Sequence, residues 1–254
     1  MGFTYKLLHR STNNWIIAFY GFGQQASVFQ PLADKLYDSH SFIVVDLPLQ
    51  SPDGSISKKS FGEFMQTLVD KYQIKAITTI AYSMGCRFAL CLPEFVPLQL
   101  EEMILIAPDG IHIRFWNRWA TNTRIGHSLF RFFVKSSFAY PTLLTTLRLF
   151  RLIPKPLYLF SKWHMRDKAS REQVYNAWMN MRDMLPNWDI ASDTVKKYFI
   201  AISAYFGVHD KVIKQTYARK LYYKFPKVDI VLVDKGHNIL DEDVMNDIAT
   251  NFKY

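Results

Sequence analysis

A serine becomes a nucleophile when a base takes its proton and the fold holds its hydroxyl in the open. Ala81-Tyr82-Ser83-Met84-Gly85 has residue types suited to that task. The β-rich run Ile77-Thr78-Thr79-Ile80 comes just before it, and Cys86 to Leu92 reads as a buried helix just after it. Small residues two before and two after Ser83 let strand and helix cross closely around a strained turn, which lifts the hydroxyl above the sheet edge. Downstream, Gly207-Val208-His209-Asp210 ends the apolar run Phe199 to Phe206, and Asp234-Lys235-Gly236-His237 follows Val228 to Val233. Ser83, Asp210 and His237 therefore occur in that order, each just past the end of an expected strand. Such a set lets His237 take the proton of Ser83 while Asp210 orients the imidazole and stabilises its cation.

The elements that must position these residues follow from periodicity. Trp15 to Tyr20, Phe42 to Leu47 and Met103 to Ala107 are apolar runs of strand length. Ser27 to Tyr37 reads as a helix with Val28, Leu32, Leu36 and Tyr37 on one face. Phe61, Phe64, Met65, Leu68, Val69 and Tyr72 also have helical spacing, after a capping-box pattern at Ser60 and Glu63. A last helix spans about Asp241 to Phe252. Strands alternating with helices imply a parallel sheet covered on both faces, whose functional edge is the one at the C-terminal strand ends.

With these residues in place, the chain resembles the α/β-hydrolase superfamily over roughly 1–110 and 198–254. The resemblance implies an α/β fold with a mostly parallel sheet, helices on both faces, and a helical cap inserted after the sixth strand of the family's sheet. It divides the chain into a body, 1–109 and 198–254, and a cap, 110–197. Gly21-Phe22-Gly23 is similar to the family's His-Gly-x-Gly turn, which implies that the backbone N–H groups of Phe22 and Met84 form the oxyanion hole. Tyr20 stands where the family often has His, and Ala81 where it most often has Gly. Asp109 occupies an alternative acid position of the superfamily, with Asp210 preferred, and Tyr82 is an expected wall of the substrate pocket.

The 254 residues are 49% hydrophobic, enough for one substantial core. From Gly110 to Arg166 there are ten Lys or Arg and no Asp or Glu, so the insertion holds the excess behind the net charge of +9. Aromatics such as Phe115, Trp116, Phe132, Phe138, Phe150, Phe160 and Trp163 interleave with those charges. Pro141, Pro154, Pro156 and Pro186 suggest several short helices there, and Glu172 to Leu185 reads as one of them. A basic, aromatic segment fits either a plain cap or peripheral contact with an anionic membrane surface. Nucleic acid is the weaker partner, because no binding motif for it is present.

His9, His40, His127 and His164 have no metal-ligand spacing, His112 and His209 read as structural or exposed, and no nucleotide, metal or redox cofactor motif is visible. The N-terminus lacks a signal-peptide pattern, and Cys86 and Cys91 read as buried thiols, so a cytoplasmic location is expected. The expected function is cofactor-independent cleavage of a carboxylic ester or thioester with an apolar acyl group, through an acyl-enzyme on Ser83. Acyl transfer on the same triad and a non-catalytic binding protein of this fold are the alternatives.

Overall fold

A computed structural model of the chain describes residues 2–48, 56–113, 115–136, 138–153 and 155–252. The expected break at Pro154 and the side chains of Trp116, Phe160 and His164 lie outside the described residues.

The apolar runs pair into a seven-stranded sheet. In chain order the elements are β1 (Thr4–His9), β2 (Asn14–Phe19), α1 (Gln30–Lys35), β3 (Ser41–Asp46), α2 (Lys58–Tyr72), β4 (Ala76–Tyr82), α3 (Cys86–Cys91) and β5 (Leu100–Ile106). Then come α4 (Phe115–Asn122), α5 (Arg124–Lys135), α6 (Ala139–Leu149), α7 (Lys155–His164), α8 (Lys168–Met181) and α9 (Trp188–Tyr198). The chain ends with β6 (Ala201–Gly207), α10 (Tyr217–Lys224), β7 (Asp229–Val233) and α11 (Glu242–Asn251). The strand order is β1-β3-β2-β4-β5-β6-β7, with β1 antiparallel to β3 and every other pair parallel. Such a sheet carries the C-terminal ends of β2, β4, β5, β6 and β7 on one edge.

The sequence patterns explain the layers. Residues Trp15 to Phe19 of β2 and Ser41 to Val45 of β3 are fully buried, which accounts for their near-continuous apolar runs. Within β4 the hydroxyl of Thr79 donates to the Ile17 carbonyl at 2.9 Å, so this buried polar group is satisfied. On one face of the sheet Phe61 of α2 packs against Phe88 of α3 at 5.2 Å, and Phe88 stacks on Phe19 of β2 at 5.9 Å. Cys86 and Cys91 are free and buried, and burial pushes the Cys91 thiol up to about 12.

Three local readings differ from the structure. The segment expected as one helix over 27–37 is a 3-10 turn (Ala26–Phe29) followed by the short α1, because Pro31 enters the first turn of α1 and Leu36 already leaves it. The N-cap of α2 is Ser57 rather than Ser60: the Ser57 side chain accepts from Ser60 N at 3.0 Å, and Ser60 Oγ in turn accepts from Ser57 N at 3.2 Å. Glu63, left outside that box, pairs only loosely with Lys59 at 3.7 Å on the exposed face. Pro141 does not break a helix but sits in the first turn of α6, where a missing N–H costs nothing.

The chain divides into two compact units. One comprises Met1–Pro48, Ile56–His112 and Met184–Tyr254, and the other Ile113–Asp183. A boundary at 197 would leave α9 with the insertion, yet α9 packs within the first unit. Asn187 N donates to Glu94 Oε1 at 2.7 Å, Ser192 Oγ to the Lys224 carbonyl at 2.9 Å, and the Trp188 ring lies 6.0 Å from Phe225. The second unit is helical, built from α4 to α8. Inside it the buried Arg171 of α8 ties helices together: its Nε donates to the Val134 carbonyl at 3.0 Å, and its guanidinium lies 5.6 Å from the Tyr140 ring. Among the described residues no helix is long and apolar enough to cross a membrane.

Candidate active site

Ser83 sits between β4 and α3 with φ at 50°, in the left-handed region that costs a non-glycine residue of order 1 kcal/mol or more. The surroundings enforce this. A Cβ on Gly85 would lie 2.3 Å from the Phe19 carbonyl oxygen and 2.6 Å from that of Tyr20, so only glycine lets the elbow pack on the end of β2. Ala81, fully buried in β4, pairs with Phe19 and Leu105, and its methyl is accommodated there.

The ends of β6 and β7 bring the other two residues to Ser83. Beyond those strands the loops stay zipped: Val208 N donates to the Val233 carbonyl at 2.9 Å and His209 N to that of Lys235 at 3.0 Å. Gly207 permits this approach, since a Cβ there would lie 2.3 Å from the Gly236 oxygen. His237 then reaches both partners. Its Nδ1 donates to Asp210 Oδ2 at 2.7 Å, and its Nε2 lies 3.0 Å from Ser83 Oγ. Because a carboxylate can only accept, the neutral imidazole carries its proton on Nδ1, which leaves Nε2 to accept from the serine.

Asp210 is 5% exposed, and its other oxygen accepts from Val212 N at 2.7 Å and Ile213 N at 2.9 Å. These bonds fix which oxygen faces the imidazole. Replacing Gly207 by Ala should force the Asp210 and His237 loops apart against backbone atoms. We expect a stability loss of about 1–3 kcal/mol, as for overpacking elsewhere, together with a turnover loss larger than unfolding explains. Thermal unfolding and ester kinetics on the same preparation check both.

Asp109 is engaged elsewhere. Its Oδ2 accepts from Arg87 Nε at 2.8 Å and its Oδ1 from Gly110 N at 2.8 Å, while its own N–H donates to the Ser83 carbonyl at 3.2 Å. The loop after β5 is thereby tied to the turn at Ser83. His209 also points elsewhere, pairing with Asp234 at 2.7 Å in an exposed setting. His112 packs its ring 5.2 Å from Tyr217.

The Gly21-Phe22-Gly23 turn lies against the elbow: a Cβ on Gly21 would be 3.2 Å from the Ser83 Cβ. Phe22 and Met84 are both half-buried on the two sides of this contact. Gln24, which the sequence did not single out, holds the turn by accepting from Gly21 N at 3.0 Å. Tyr20 joins the ends of β2 and β3, its hydroxyl accepting from Leu47 N at 3.2 Å. Tyr82 stacks on the His237 ring at 5.9 Å and donates its hydroxyl to the His237 carbonyl at 3.0 Å. Burial, with the nearby Asp210 charge, pushes the Tyr82 phenol up to about 12, so it remains a donor. Lys235 braces the histidine loop by bonding Asp241 and Asp243, each at 2.6 Å. Neither Gln24 nor Lys235 carries a motif that marks it, although their partners lie only three to eight residues away.

A family profile described as alpha/beta hydrolase fold matches residues 14–244. The chain belongs to the alpha/beta hydrolase fold family. Membership places it among the hydrolases as an enzyme class. Solved structures share the architecture. A carboxylesterase of the ammonia-oxidizing thaumarchaeon Nitrososphaera gargenis superposes with a TM-score of 0.64 at 14% identity, over 98% of this chain and 93% of that one. The enol-lactonase of Burkholderia xenovorans LB400 gives 0.62 at 16% identity, over 98% and 95%. A thermophilic esterase of Thermogutta terrifontis gives 0.65 at 15% identity, over 98% and 92%. No curated protein matches the sequence.

Proposed function

We propose that this alpha/beta hydrolase is a serine hydrolase that cleaves a carboxylic ester or thioester with an apolar acyl group. The observation that carries this reading is the unbroken hydrogen-bonded line from Ser83 through His237 to the buried Asp210, at 3.0 and 2.7 Å. Ser83 Oγ attacks the acyl carbon while His237 Nε2 takes its proton, and Asp210 stabilises the imidazolium. The N–H groups of Phe22 and Met84 stabilise the oxyanion, an effect worth a few kcal/mol for each well-aimed donor. His237 then protonates the departing alcohol or thiol, leaving the acyl group on Ser83. A water deprotonated by His237 attacks that ester, releases the carboxylic acid and restores the serine. The similar solved structures include proteins named carboxylesterase, enol-lactonase and esterase, in keeping with this choice of substrate.

A fluorophosphonate probe tests the reading, since only an activated serine displaces its fluoride. Wild type should label, and labelling should vanish in Ser83→Ala and His237→Ala. A folded wild type that stays unlabelled would sink the proposal.

A further inference from the structure

The second unit carries a feature that the hydrolytic reading leaves unused. Helices α6 and α7 form a hairpin, closed at its base by the Tyr140 hydroxyl donating to the Ser161 carbonyl at 3.3 Å. None of the described residues of α6 is buried. At the far end the chain turns through Arg151, whose φ is 56°, and there Leu149, Phe150 and Leu152 are 76%, 67% and 69% exposed. Three large apolar side chains within four positions are too concentrated for the scattered exposure usual on a soluble surface. Arg148, Arg151 and Lys155 flank them, and among the described residues no carboxylate pairs with any of the three. The whole stretch from Gly110 to Arg166 contains ten cations and no acidic residue.

We propose that the tip of the α6–α7 hairpin is a membrane-docking element that seats Leu149, Phe150 and Leu152 in the interfacial zone of an anionic phospholipid bilayer while Arg148, Arg151 and Lys155 meet the headgroups. Apolar side chains ringed by cations match the two layers of such a surface, acyl chain below and phosphate above. A nucleic acid would satisfy the charges but leave two leucines in water, since bases stack on aromatic planes rather than on branched aliphatic ones. A second copy of this tip would bring three like charges against three. The inference concerns binding alone and stands independently of the chemistry assigned to Ser83.

Co-sedimentation of the full chain with vesicles tests it, using phosphatidylcholine alone or mixed with phosphatidylglycerol. Wild type should sediment with the anionic vesicles, remain in solution with the neutral ones, and be released by added salt. The double variant Phe150→Ser, Leu152→Ser should bind at least tenfold more weakly. The triple variant Arg148→Gln, Arg151→Gln, Lys155→Gln should lose about a hundredfold in partition, from roughly fivefold per cation near an anionic surface. Because these side chains are not buried, both variants should keep the wild-type unfolding midpoint, and either suffices if the other fails to fold. Wild type that ignores anionic vesicles, or folded variants that sediment equally well, would overturn the proposal. So would a dimer in solution dissolved by the tip substitutions, or tip-dependent oligonucleotide binding in a protein that leaves vesicles alone.

Discussion

Replacing Ser83 by alanine is expected to reduce turnover of a short-chain aryl ester by about 10⁶-fold while leaving the protein folded. Losing the nucleophile of a serine triad costs about that much, and the remainder comes from binding and oxyanion donors that the variant keeps. Folding should survive because Ser83 and its partner His237 are both only half-buried. Alanine adopts the left-handed φ of 50° at much the same cost as serine. The stability change should therefore stay within about 1 kcal/mol, the worth of one ordinary hydrogen bond. Steady-state kinetics beside thermal unfolding decide the matter. Turnover within tenfold of wild type would mean that another residue attacks the substrate.

The second large effect separates the two candidate acids. Asn at position 210 would keep its oxygen toward Val212 N and Ile213 N, which require an acceptor, and so would turn its NH₂ toward His237. Nδ1 must then accept rather than donate, which moves the imidazole proton to Nε2, where Ser83 needs a base. A wrong tautomer of this kind costs about 10⁴-fold in turnover in the best-studied serine triad. Asp109→Asn should instead act on stability. It weakens a pair with Arg87 that is mostly shielded from solvent, with side-chain exposures of 10% and 19%, and an expected loss of about 2 kcal/mol is below that of a fully buried pair. Its turnover should fall by less than about tenfold, roughly 1.4 kcal/mol of barrier. Kinetics and unfolding curves for both variants are the test, and the opposite pattern would make Asp109 the acid.

The order of the candidate site residues is legible in the sequence: a small-Ser-small turn after one strand, an Asp after another and a His after the last. These were readable because each depends on neighbours within a few residues, as strand alternation, apolar runs and turn residues do. The edge strand β1 was not readable, because Thr4 to His9 is half-exposed and acquires its identity only by pairing with β3. The N-cap of α2 lies three residues before the Ser60 pattern: Ser57 and Ser60 both offer hydroxyls, and their reciprocal bonds put Ser57 at the cap.

Folding sets Asp210, and not Asp109, against His237. Both follow strands on the same edge, but the zipped loops at Gly207 and Gly236 carry the first to His237, while Arg87 of α3 holds the second. Tyr82 backing His237 and α9 joining the first unit belong to the same class. Such contacts join residues far apart in the chain, and their energy exists only once the sheet has set the distances between strand ends. Local sequence places a residue at the edge of the sheet; packing across the sheet selects its partner.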